Sequence, residues 1–494
     1  CSSDLSEKNK AAVTQITLDD DYNVPDYRQD IVKVIKERGE LRFDEVKAME
    51  GAAWIKGSLV FKVLYRSDKQ EGKISCLRGE IPFQERLNMD GLSEYDAVHA
   101  TGDMEDLTIG VINSRKLNVR AVIVLTASSE KEVDEELTCE LSDGSSYEQN
   151  IVEKEALKLL VVRRDICRQK SEAVLPSSKP NIREILWQSM QLRNVESRLV
   201  EGNIRLSGEI LVSILYNDEE EGEHLSWYET TVPLDAQAEC GVMEDDCIWQ
   251  VQMVPLTMEL EVKPDYDGEE RILVMELALD THIRIWKEEK IRLLTDLYSL
   301  QKEVKPVFRE CPLERLLVKN AAKCRMTEQM ELKEDKEKVL QICSCEGKVL
   351  LERQEIKTDG VLAEGTVEVN ILYITPDDHM PVGAVQEIYP FSQLVEIPEM
   401  SAQAKVELDA SLEQLSAVML DQEHVEIRAA VRLDLIAFVQ EVIQNIEEAT
   451  ESEPDLEMLR NRPGLVGYIA KAGDDLWTDR KSTRLNSSHI PISY

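Results

Sequence analysis

The sequence repeats itself three times, and the spacing inside each copy is fixed. GSLVFKVLY runs from Gly57 to Tyr65, GEILVSILY from Gly208 to Tyr216, and GTVEVNILY from Gly365 to Tyr373. Upstream lie apolar triplets at i, i+3, i+4: Ile31/Val34/Ile35, Ile182/Ile185/Leu186 and Val339/Ile342/Cys343. Downstream lie Pro82, Pro233 and Pro390. Triplet to glycine is 26 residues each time, glycine to tyrosine 8, and tyrosine to proline 17. The glycines stand 151 and then 157 residues apart, which is too long for a solenoid unit and suits whole tandem domains.

Local chemistry points to antiparallel β-structure. Leu59, Phe61, Val63 and Tyr65 are apolar at every second position, as are Ile210, Val212, Ile214 and Tyr216, and Val367, Val369, Ile371 and Tyr373. Period two places each set on one sheet face, with Ser58, Lys62, Ser213, Thr366, Glu368 and Asn370 on the other. Gly51, Gly202 and Gly360 precede these strands as hairpin turns. Further strands are expected from Val119 to Leu125, from Leu256 to Val262 and from Val425 to Leu433. The triplets, with Pro25 before and Gly39 after the first, predict short helices. The expected fold is mainly β: three tandem antiparallel β-sandwich or barrel-like units with short helices. The tyrosines read as core or rim residues and the prolines as edge-strand residues. Asp68 to Glu71, Asp218 to Glu221 and Asp377-Asp378 read as solvated hairpin tips.

On this reading residues 1–25 are a leader, and 26–140, 176–300 and 336–450 are the three repeats. Residues 141–175 and 301–335, charged and poor in Gly and Pro, are ordered connectors. Residues 451–465 are an acidic linker.

The 58 basic and 96 acidic residues leave a net charge of −38, which repels nucleic acid and anionic headgroups. The ten cysteines are scattered without a CxxC pair and read as free thiols of a reducing compartment. No apolar run reaches the length of a membrane span. Cytoplasmic synthesis is the expectation.

The stretch DDDYNVPDYRQDI (Asp19 to Ile31), followed by the Gly-to-Tyr strand and Ile81-Pro82-Phe83, resembles the opening of SPOCS-domain proteins of spore-forming Firmicutes. LPSSKPNIREIL (Leu175 to Leu186) is similar to the start of a second copy; the third departs, with DKEKVLQICSCEG in place of the proline-containing lead-in. Tyr468 to Trp477 resembles the first strand and turn of a LysM module, incomplete over 466–480. The tail 481–494 fits neither and reads as non-native, so a fragment at both ends is expected. The resemblance implies a SipL-like, non-enzymatic scaffold of endospore coat assembly, acting in the mother cell at the forespore or coat surface. It implies a protein partner, a coat morphogenetic ATPase. The alternative it implies is peptidoglycan or glycan binding through the LysM turn Gly473, Asp474, Asp475, Leu476 and Trp477. No cofactor, metal or nucleic acid is implied.

Catalytic motifs are wanting: the sequence has no GxSxG, HExxH, phosphate loop or dinucleotide fingerprint. His99, His224, His282, His379, His424 and His489 keep no fixed place in the repeats. Three copies without a shared polar constellation fit a scaffold better than an enzyme.

Overall fold

The computed structural model describes residues 2–67, 73–141, 147–219, 224–244, 246–299, 302–331, 338–398, 400, 404–453, 477, 478 and 481. Each copy is a sandwich of two three-stranded antiparallel sheets. In copy one, β2 (Ile31–Met49), β3 (Ala52–Ser67) and β4 (Ile74–Asn88) form a meander. The second sheet has the order β1 (Ser2–Asn23), β6 (Lys116–Glu136), β5 (His99–Asn113). Copy two pairs the meander β8 (Ile182–Val200), β9 (Asn203–Asp218), β10 (Leu225–Glu239) with a sheet of β7 (Glu148–Val174), β12 (Glu270–Tyr298) and β11 (Cys247–Pro264). Copy three pairs β14 (Gln341–Ile356), β15 (Gly360–Ile374), β16 (Val382–Glu396) with β13 (Glu303–Glu331), β18 (His424–Ser452) and β17 (Ala404–Met419). The chain thus enters each copy through the second sheet, crosses to build the meander, and returns. No sheet closes into a barrel.

The alternation read from the sequence holds. Leu59, Phe61, Val63 and Tyr65 are fully buried in the core of copy one, and Val367, Val369, Ile371 and Tyr373 in that of copy three. Several expectations change. The apolar triplets are strand, not helix: β-bulges at Val34/Lys36, Ile185/Trp187 and Ile342/Ser344 push Ile35, Leu186 and Cys343 out of register. An inserted residue turns period two into a helix-like i, i+3 pattern. The supposed connectors and leader carry β7, β13 and β1, the strands that complete each second sheet. They are poor in Gly and Pro because they are single strands of up to 29 residues, with Pro306 and Pro312 both in the edge strand β13. Leu256, the first residue of the strand expected to reach Val262, is a bulge residue and stands exposed.

The repeated residues have concrete duties. Gly51 and Gly202 turn the first hairpins at φ of +70° and +78°. Gly57, Gly208 and Gly365 lie instead in mid-strand, opposite bulges in the neighbouring strand. A Cβ there would lie 2.4, 2.9 and 2.2 Å from the carbonyl oxygens of Arg42, Arg193 and Leu350, which are equivalent positions. Only glycine lets the backbones approach so closely. Pro82, Pro233 and Pro390 sit in the middle of β4, β10 and β16, each an edge strand of its meander, opposite Ser58, Glu209 and Thr366. Asp218 is not a solvated tip; it is buried and accepts the His224 amide at 3.0 Å.

The lead-in loops of copies one and two are each tied down twice. Tyr65 donates its hydroxyl to the Gln29 carbonyl at 3.2 Å, and Tyr216 to that of Pro180 at 3.1 Å, both 36 residues upstream. Arg115 donates to the carbonyls of Val24, Pro25 and Arg28 and to Asp30. Arg271 repeats this on Leu175, Pro176, Lys179 and Asn181. Copy three breaks the pattern. The Ile31–Ser114 and Val339–Gln422 backbone bonds align the copies and put Glu423 at the position of Arg115.

Each tyrosine hydroxyl bond is local to its own copy. Tyr65→Phe and Tyr216→Phe are expected to cost about 1 kcal/mol each and to add in the double variant, read from denaturant midpoints.

Candidate interaction site at the junction of the copies

The residue before each tyrosine faces away from its own core. Leu64, Leu215 and Leu372 nonetheless are buried, at 0, 1 and 1 % exposure. They meet one another, together with the bulge residues Ile35, Leu186 and Cys343 and with Ile74, Leu225 and Val382. Every member of this set is an equivalent position in the three copies. The outer face of the central strand is therefore covered, as the burial of Ser58 and Ser213 and the burial-lowered pKa of Lys62 also record. The packing is cyclic: β4 lies against β8, β10 against β14, and β16 back against β2. The three meanders close into a ring.

A charged knot sits at the centre. Glu346 of copy three accepts Lys36 Nζ at 2.9 Å and Arg38 at 3.2 Å from copy one, and the Trp187 indole N–H at 3.0 Å from copy two. Lys36 also stacks over Trp187, 5.2 Å from the ring centroid. Lys36, Trp187 and Ser344 are one repeat position, and Arg38, Ser189 and Glu346 another. Burial pushes the Glu346 carboxyl up, but Lys36, Arg38 and the Trp187 N–H outweigh it and hold the group below its usual value. Ser189, the neutral counterpart of Glu346, and Ser344, that of Lys36, are buried with no partner for their hydroxyls.

A second three-way contact joins the second sheets. Asn445, buried in β18, donates to the carbonyls of Thr138 and Leu294 at 2.8 and 3.1 Å and accepts the Thr138 amide at 2.9 Å. Leu137, Leu293 and Cys311 pack beside it, one from each copy.

Between copies two and three the ring leaves a cleft of about 460 Å³, lined by Arg193, Trp227 and Glu229 on one side and by β14 and β17 on the other. Arg193 donates to the Leu415 carbonyl across it at 2.6 Å. Gln191 donates to the Cys345 carbonyl at 2.9 Å. Cys343 and Cys345 line the cleft, and burial pushes both thiols up to about 12. They stay protonated at neutral pH and are poor nucleophiles. Among the described residues no group of His, Cys, Asp or Glu is placed to hold a metal ion.

The repeat positions Gly57, Tyr65, Pro82 and their counterparts build the sandwiches; none of them forms the junction. Of the LysM-like turn, Gly473, Asp474, Asp475 and Leu476 lie outside the described residues. Trp477 packs edge-on against Tyr298 and donates its indole N–H to Asp296 at 2.8 Å. The junction itself went unread in the sequence. Its signal was there: Leu64, Leu215 and Leu372 are apolar at a position that the alternation assigns to solvent.

Glu346→Ala strands the buried Lys36 without its carboxylate. It is expected to cost about 3 kcal/mol and to uncouple the copies, so that calorimetry resolves more than one transition where the unaltered chain gives one. Glu37 supplies a second test. Burial pushes it up to about 7 against the pull of the Ile109 amide, with Asp106 adding to the rise. The unfolded chain keeps it near 4.5, so stability is full below that pH and is lost as pH rises through 7. Copy two places Gln188 at this position. Glu37→Gln is expected to stabilise the chain by about 1 kcal/mol at pH 8, the group being only partly buried, with the gain vanishing by pH 4.5 in paired melts.

A family model described as SipL, SPOCS domain, matches residues 30–112 and 338–420. These stretches span equivalent strands, β2 to β5 and β14 to β17, and are displaced by the same 308 residues that separate Ile31 from Val339. No curated protein and no solved structure matches the chain. Copies one and three therefore each carry a stretch similar to the SPOCS domain, and the unmatched copy two repeats their strand topology.

Proposed function

We propose that the chain is a non-enzymatic scaffold of endospore coat assembly that holds protein partners on its repeated β-domains. The observation that carries this reading is the likeness of two copies, at matching positions, to the SPOCS domain. The rigid ring supports it: three sandwiches locked at a charged centre present fixed outer surfaces. A net charge of −38 argues against nucleic acid as the partner. The buried thiols are held in their unreactive form. The histidines fall in unrelated places, His99 in β5, His282 in β12, His379 in a turn and His424 at the start of β18. Among the described residues no helix is long and apolar enough to cross a membrane.

The tagged chain, expressed in a spore-forming host, is expected to recover a protein in near-equal amount from sporulating cells and not from vegetative ones. Recovery of peptidoglycan with no protein, or release of the bound material by free N-acetylglucosamine, would overturn the proposal.

A further inference from the structure

The cleft between copies two and three lacks a carboxylate that the equivalent strand edge of copy one possesses. In copy one the outer edge of β5 is closed from within, where the Ile109 amide donates to the Glu37 carboxylate at 3.1 Å. Ala417 holds the same register position in copy three: Ile109 stands opposite Val119, and Ala417 opposite Ile427. Its amide therefore also points away from the neighbouring strand. The position of Glu37 is taken in copy three by Cys345, which offers no carboxylate. The edge of β17 opens on the cleft, and an unpaired strand edge is a template for another strand.

Two polar groups lining the same cleft lack partners. Ser344 is 4 % exposed and its hydroxyl has none. Arg193 gives one guanidinium nitrogen to the Leu415 carbonyl, yet among the described residues its Nε has no hydrogen-bond partner. At the open end Val418 is 45 % exposed, an apolar foothold on the same strand.

Resting on the scaffold reading, we propose that this cleft takes an extended peptide of a partner protein, added to β17 as a fourth strand of its sheet. A peptide carbonyl accepts the Ala417 amide, an apolar side chain covers Val418, and one carboxylate meets Arg193. Edge addition of this kind draws affinity from main-chain hydrogen bonds and specificity from alternate side chains. Glu229 stands on the Arg193 side of the cleft, so it disfavours a second negative charge and with it an acidic run.

The test pans a phage-displayed random dodecapeptide library against the whole chain. Ala417→Pro removes the outward amide while sparing the bonds to β18, and Arg193→Met removes the cation. Retained circular dichroism and melting temperature serve as the check on folding. Enriched peptides are expected to alternate apolar residues around one Asp or Glu and to bind each variant at least tenfold more weakly. Peptides that bind Ala417→Pro as tightly as the unaltered chain, or a library that yields none, would sink the cleft proposal. The scaffold reading is separable: it stands if the partner from sporulating cells is still captured by Ala417→Pro, and falls if neither form captures one.

Discussion

One buried carboxylate holds the three copies to one another. Glu346 meets a lysine and an arginine from copy one and an indole from copy two. A charge taken out of water is costly unless its partners are placed to replace the solvent. Here the partners arrive from different sandwiches, so the carboxylate is satisfied only when all three copies are in place. Apolar packing by Leu64, Leu215 and Leu372 supplies attraction without direction; the charged centre supplies the direction. Asymmetry makes this possible. Were the three copies identical at these two positions, like groups would crowd the centre. Divergence to Lys36, Trp187 and Ser344, and to Arg38, Ser189 and Glu346, puts complementary groups there instead.

The sandwiches themselves were legible. Fixed spacing announced three units, and period-two alternation identified the central strand of each meander and its inward face. What escaped reading did so for physical reasons. A bulge adds one residue to a strand, and the resulting spacing at Ile31, Val34 and Ile35 imitates a helix turn. Residues 148–174 and 303–331 face the core on one side only and carry charge on the other, so they resembled connectors while being long edge strands of their sheets. The local trace of the junction, a leucine at 64, 215 and 372 where the alternation calls for solvent, does not say what covers it. The junction is built from positions that look solvent-facing within a copy and become interior only when copies meet.

The copies also show how far one design can drift. Arg115 and Arg271 gather the same four positions of their lead-in loops, whereas copy three has Glu423 at that place and a different lead-in sequence. The third unit keeps the strand topology and the tyrosine while dispensing with the guanidinium. Its edge position at Cys345 has likewise lost the carboxylate that copy one uses internally. Differences of this kind, set on a conserved frame, are what allow near-identical bodies to offer non-identical surfaces.

The reach of Asn445 carries a consequence for synthesis. Its amide joins Thr138, which closes the first copy, to a strand that leaves the ribosome only after copies one and two. Until copy three follows, Lys36 and Arg38 lack the Glu346 carboxylate and Leu64 lacks Leu372, so the first sandwich must wait with part of an apolar and cationic face open to water. Vectorial production thus makes the earliest unit the one exposed longest to misassociation, and a pause or truncation within copy three would release a chain whose first two bodies are folded but whose ring is open.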